Sequence, residues 1–197
     1  MPEPFISRVR DFISRNRVRL SFIVFIPCII EDVYDGFAVR NFLTADDPFG
    51  LAAFIFVLFG IYMRSWAAGV LIKGKKVAMT GPYALTRHPL YVGSFFIALG
   101  FCMLFGDLKD FIVFFAVILL LYIPTIRHEE MINSNKFKDE WAAYARNTWL
   151  FFPKRFPRNV LGAWNLSQWL KNKEYMAASA SIGGLVLFYI LRVYIVK

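Results

Sequence analysis

The residues best equipped for chemistry lie in two short stretches, Thr80-Gly81-Pro82-Tyr83-Ala84-Leu85-Thr86-Arg87-His88-Pro89-Leu90-Tyr91-Val92-Gly93 and Tyr122-Ile123-Pro124-Thr125-Ile126-Arg127-His128-Glu129-Glu130. Together they hold both histidines of the chain. Pro89 fits the first position of a helix, where a missing N–H costs nothing, so Arg87 and His88 stand at that helix's mouth. Unpaired amides and the positive dipole end make such a mouth attract anions, and Arg87 adds a fork suited to carboxylate or phosphate. Tyr91 lies four residues after Arg87 and shares its face. Gly93, about 1 kcal/mol poorer than Ala in a helix, implies that something packs closely there. Glu129 and Glu130 close a helix whose dipole they oppose by about 0.3–1 kcal/mol each, so a partner is expected. Ligand hydroxyls or a ligand cation would serve. So would Arg87 and Arg127, in which case the cluster is an interfacial salt bridge and nothing more.

The elements that must hold these stretches are apolar helices. Of 197 residues, 58% are apolar and 22 are Phe, against about 45–50% apolar in globular proteins, which argues against a soluble enzyme. Charges clump between five apolar segments at 18–37, 48–71, 89–106, 111–127 and 176–196, each near the roughly 20 residues that cross a bilayer. The first is the weakest, since it meets Glu31, Asp32 and Asp35. Gly106 to Asp110 is so short a link that the third and fourth spans must form an antiparallel hairpin, which brings the two chemical stretches together. The predicted fold is therefore an all-α polytopic bundle of about five membrane helices in a single domain over 1–197.

Charge sets its orientation. Residues 1–19, 72–88 and 127–175 carry net charges of +3, +4 and +4, while 31–48 and 107–110 carry −4 and −1. Positive loops stay inside, so the amino terminus is predicted to be cytoplasmic and the carboxyl terminus outside, in a multi-pass protein of a membrane such as the bacterial inner membrane. The excess of 23 Lys and Arg over 14 Asp and Glu is thereby explained without nucleic acid. Cys28 and Cys102 lie in apolar runs with no CxxC and no nearby His, so they read as small buried residues, and no metal site is expected. No small-residue cleavage site follows the first run, which argues against a signal peptide. Two stretches are suited to the headgroup plane: the basic 1–19 segment, with Phe5, Val9, Phe12 and Ile13 at helical spacing, and Arg155 to Tyr175, with Trp164 and Trp169.

The pattern Gly81-x-Tyr83, Arg87-His88-Pro89-x-Tyr91-x-Gly93 and Glu129-Glu130, followed by Phe137 and Tyr144, resembles the superfamily of isoprenylcysteine carboxyl methyltransferases and phospholipid N-methyltransferases. The resemblance covers about 50–153, within a methyltransferase core placed at 48–153, and leaves 155–197 as an interfacial segment plus an extra helix. It implies an S-adenosylmethionine site between the third and fourth helices on the cytoplasmic side. Lys76, Val77, Ala78, Met79, Gly81 and Tyr83 would wrap the nucleoside. Arg87, His88, Pro89 and Tyr91 would hold the methionine end, and Glu129 and Glu130 the ribose hydroxyls or ammonium. Three departures fall on the segment that closes over the cofactor: Lys138 where the family has Gly, Trp141 where it has Tyr, and Asn133 where it has Leu.

Methyl transfer needs alignment and exclusion of water rather than a protein nucleophile. An amine or thiol acceptor must lose a proton, which His128, Glu130 or His88 could take. Arg64, inside the second span, either snorkels to the interface or meets an anionic headgroup or acceptor carboxylate. The expected acceptor is a membrane lipid or a lipidated substrate. Two other readings remain: an NADPH-dependent membrane reductase of similar fold, and a non-catalytic lipid-binding module.

Overall fold

A computed structural model describes residues 5–36, 39–154, 160 and 164–194. The first four residues of the basic amino-terminal segment, the last residue of the first predicted span, most of 155–163 and the end of the fifth span lie outside the described residues. The chain forms α1 (Phe5–Tyr34), α2 (Pro48–Val70), α3 (Pro89–Phe105), α4 (Leu108–Val117), α5 (Ile123–Asn147), α6 (Leu166–Lys171) and α7 (Glu174–Tyr194). A 3₁₀ turn at Gly81–Ala84 precedes α3, and one π turn at Ile118–Tyr122 joins α4 to α5, so that these run on without interruption as far as a bend at Lys138. No strand occurs among the described residues.

Boundaries follow local chemistry. Asp47 accepts the Gly50 amide at 3.0 Å ahead of Pro48, an N-cap that also holds the Asp47 carboxyl below its usual pKa. Gly106 ends α3 at φ 76°, a conformation that suits a residue without Cβ. Asp107 then caps α4 through the Lys109 amide at 3.1 Å, so a two-residue link makes the predicted hairpin.

Helices α2, α4–α5 and α7 are long and apolar enough to cross a membrane. Helix α3 is apolar but 17 residues long, about 26 Å against a hydrocarbon core of about 30 Å. The first predicted span is part of a 30-residue α1 that absorbs most of the basic segment without a break at residue 19. Its flanking charges set it apart from the three apolar helices. Ile182, Val186, Leu187, Ile190 and Val193 of α7 are exposed, as are Ile55, Leu58 and Phe59 of α2. Such faces suit lipid, and the protein is an all-helical membrane protein.

Small residues allow α2 and α3 to approach backbone to backbone. A Cβ on Gly93 would lie 2.7 Å from the Gly60 carbonyl oxygen, and one on Gly100 would lie 2.6 Å from that of Ala53. The close packing expected at Gly93 is thus present. Helix α7 lies on the same pair, with Phe188 against Phe101 and Phe105. At the far end, Lys109 Nζ reaches Asp32 of α1 at 2.8 Å and Glu31 at 3.1 Å.

Candidate active site

The mouth of α3, the connection before it and the middle of α5 enclose a cavity of about 120 Å³ that opens to solvent. Its walls include Lys76, Val77, Ala78 and Tyr83 from the connection, Arg87, His88, Pro89 and Tyr91 from the mouth of α3, and Glu129 from α5. Nine of the twelve residues that the resemblance assigns to the cofactor therefore meet around one space.

The other three act from behind. Met79 packs on the cluster of Val77, Trp141 and Tyr144. Gly81 turns the chain at φ 60° against Val70. Glu130 grips the mouth: its Oε1 lies 3.0 Å from Arg87 Nε and 2.8 Å from His88 Nε2. Glu129 accepts from Tyr91 Oη at 2.7 Å. The two acids thus divide, Glu130 to the basic pair and Glu129 to the cavity wall, while Arg127 is exposed. The salt-bridge cluster weighed from the sequence does form around Arg87, but beside a cavity.

Arg87 is also a structural cap. Its Nη1 donates to the carbonyls of Ala145 at 2.9 Å and Thr148 at 3.0 Å, and its amide donates to the Trp149 carbonyl at 2.9 Å. The neighbouring Thr86 hydroxyl donates to the Leu150 carbonyl. These bonds fold the end of α5 back over the cavity. The bend that permits this is at Lys138, with φ 41° and ψ −112°, close to the first central residue of a type II′ turn and normally taken by glycine. Beyond the bend, Trp141 and Tyr144 join Phe137 and Asn133 on the cavity wall, and Tyr144 Oη donates to the Tyr83 carbonyl at 2.7 Å. Burial pushes the Tyr83 phenol up, so it stays neutral.

Two residues considered for catalysis stand off the cavity. His128 faces α1, with Nε2 3.0 Å from Asp11 Oδ1. Arg64 makes a two-pronged ion pair with Glu174, at 2.7 and 3.0 Å, and a third bond to the Ser94 hydroxyl. Glu174 went unnoticed in the sequence, although an acid opening the last apolar segment is the natural partner of an arginine inside another. Leu71, Gly74 and Leu90 also line the cavity and carry no motif. Asn172 closes the end of α2 through the Ala68 and Leu71 carbonyls, and Trp164 donates to Ser65, so the stretch before α7 packs on the bundle. Among the described residues no three His, Cys, Asp or Glu side chains gather to hold a metal ion.

Residues 50–140 match the pattern of phospholipid methyltransferases. Over 160 residues the chain is 31% identical to the nickel-cobalt-cadmium resistance protein NccN of Alcaligenes xylosoxydans xylosoxydans, which covers 75% of this chain and 70% of that one. The chain belongs to the phospholipid methyltransferase family. It is also 37% identical over 94 residues to the cobalt-zinc-cadmium resistance protein CzcN of Cupriavidus metallidurans, covering 46% of this chain and 43% of the relative. A third match is to the Delta(14)-sterol reductase of Arabidopsis thaliana, 29% over 82 residues, or 41% of this chain and 22% of that protein. No solved structure matches the chain. The matched stretch ends before Trp141 and does not reach helix α7.

Proposed function

We propose that the chain binds S-adenosylmethionine in the cavity at the mouth of α3 and catalyses methyl transfer to a membrane-embedded lipid or prenylated acceptor at the cytoplasmic face. The observation that carries this reading is the division of charge around one cavity. Arg87 and His88 line the cavity from the mouth of α3, Glu129 lines it from α5, and Phe137 and Trp141 supply an aromatic wall. A ligand with a carboxylate at one end, an uncharged ring at the other and hydroxyls between them fits this donor set.

When bound, the cofactor supplies a methyl group made electrophilic by its sulfonium. The chain's own residues bind and orient. Arg87 and His88 would hold the carboxylate, while Glu130 keeps both rigid. Glu129, fixed by Tyr91, would accept from hydroxyls or ammonium. The arm from Phe137 to Tyr144 excludes water, which matters most for a displacement in which alignment is nearly the whole of catalysis. No residue need act as nucleophile. For an amine or thiol acceptor, His88, which lines the cavity and is backed by Glu130, would take the proton. His128, held at α1, is not proposed for that role.

The net charges of the connections support a cytoplasmic cavity. Arg64 would face the acceptor's polar head, with Glu174 keeping its guanidinium at a fixed depth. The likeness to a sterol reductase supports a second reading, hydride transfer from a nicotinamide cofactor. Incubation of the purified protein with methyl-labelled S-adenosylmethionine and a total lipid extract of its host tests the proposal. Label in the organic phase, lost in Glu129→Ala, is expected. Label confined to water-soluble acceptors contradicts the lipid assignment.

A further inference from the structure

Residues Glu129, Asn133 and Phe137 succeed one another at four-residue spacing on one face of α5, and all three line the cavity. Glu129 is bonded to Tyr91, and Phe137 packs beside Val77, Trp141 and Tyr144. Asn133 is different. It is half-buried, and among the described residues no hydrogen bond reaches its carboxamide. One carbonyl acceptor and two N–H donors are therefore left for a ligand in the cavity that Asn133 lines.

We propose that Asn133 reads the edge of an adenine ring. The inference rests on the S-adenosylmethionine reading above and adds to it the orientation of the nucleoside and the group that selects its base. Adenine offers a donor, the 6-amino group, next to the acceptor N7. A carboxamide meets that edge with two bonds at once, its oxygen accepting and its nitrogen donating. The aromatic side chains one and two turns further on, Phe137 and Trp141, supply ring faces for the base. Along α5 the order is then ribose at Glu129, base edge at Asn133 and base face at Phe137 and Trp141. The methionine end lies across the cavity at Arg87 and His88. Leucine at position 133 would have a similar shape and read nothing, so the amide is what selects the base.

Calorimetric titration of the full chain in detergent, with S-adenosylhomocysteine and with S-inosylhomocysteine, tests this. In the inosine analogue an oxo group replaces the 6-amino group beside N7, so the carboxamide oxygen meets an acceptor and one of the two bonds is lost. The wild type is expected to bind the adenosine compound about tenfold more tightly. Asn133→Leu should abolish that preference, chiefly by weakening the adenosine compound. Asn133→Ala, which removes the carboxamide without adding an apolar branch, should do the same, so that a misfolded Leu variant does not decide the matter. Adenosine preference retained in both folded variants, or absent from the wild type, overturns the role of Asn133 and leaves the cofactor reading intact. A wild type that binds neither compound overturns both.

Discussion

Tyr144 and Tyr83 are joined by a single hydrogen bond, hydroxyl to backbone carbonyl at 2.7 Å, across 61 positions of sequence. That bond ties the arm beyond the α5 bend to the connection that opens α3, and so holds the cavity between them. Both residues are buried. Tyr144→Phe leaves the Tyr83 carbonyl without its partner and should cost about 1–3 kcal/mol. Thermal unfolding in detergent should show the loss, and S-adenosylhomocysteine should recover less of it than in the wild type.

The bend at Lys138 sits in a backbone region that an L side chain enters at a cost of about 1–2 kcal/mol. Lys138→Gly should therefore stabilise the protein by about 1 kcal/mol, read as a raised midpoint of unfolding. Lys138→Val should lower it, because a β-branched side chain suffers more at positive φ.

Helix α7 is fastened to the core by Arg64 and Glu174, whose side chains are 22% and 6% exposed. Removing one partner strands the other, at about 3–5 kcal/mol. Arg64→Leu should accordingly destabilise the protein strongly, and Arg64→Leu with Glu174→Leu should regain most of the loss. Methyl transfer should remain low in the double variant while S-adenosylhomocysteine binding stays close to normal, because Arg64 is outside the cavity.

Much of this arrangement was legible in the sequence. Pro89 after His88 fixed the mouth of α3, and Gly106-Asp107 fixed the hairpin, because each is a backbone rule that acts within a few residues. The close approach at Gly93 was readable from its low helix propensity, although Gly60, the partner it meets, was not. Contacts set by tertiary packing stayed hidden. Nothing local announced that Arg87 would cap the carbonyls of Ala145 and Thr148, since that requires the bend at Lys138, and Lys carries no signal for a positive φ. The sign of the Glu129–Glu130 puzzle was correct, but only the rotation of α5 decided that Glu130 takes Arg87 and His88 while Glu129 takes Tyr91. His128 failed to join them for the same reason: on a helix, neighbours in sequence point about 100° apart.

Orientation in the membrane can be checked with cysteine probes on whole cells. A probe at Asp46, in the acidic connection before α2, should react with an impermeant reagent added outside. One at Lys75, beside the cavity, should react only after the membrane is opened. The reverse pattern would place the cavity on the outer face.

Calorimetric titration of the purified chain with S-adenosylhomocysteine, set against NADPH, is the most direct measurement of what the cavity holds. The predicted result is one molecule of S-adenosylhomocysteine per chain, no uptake of NADPH, and affinity reduced more than tenfold, about 1.4 kcal/mol, in folded Glu129→Ala. Uptake of NADPH with none of S-adenosylhomocysteine, or equal affinity in the wild type and Glu129→Ala, would contradict a methyl-donor site at the mouth of α3.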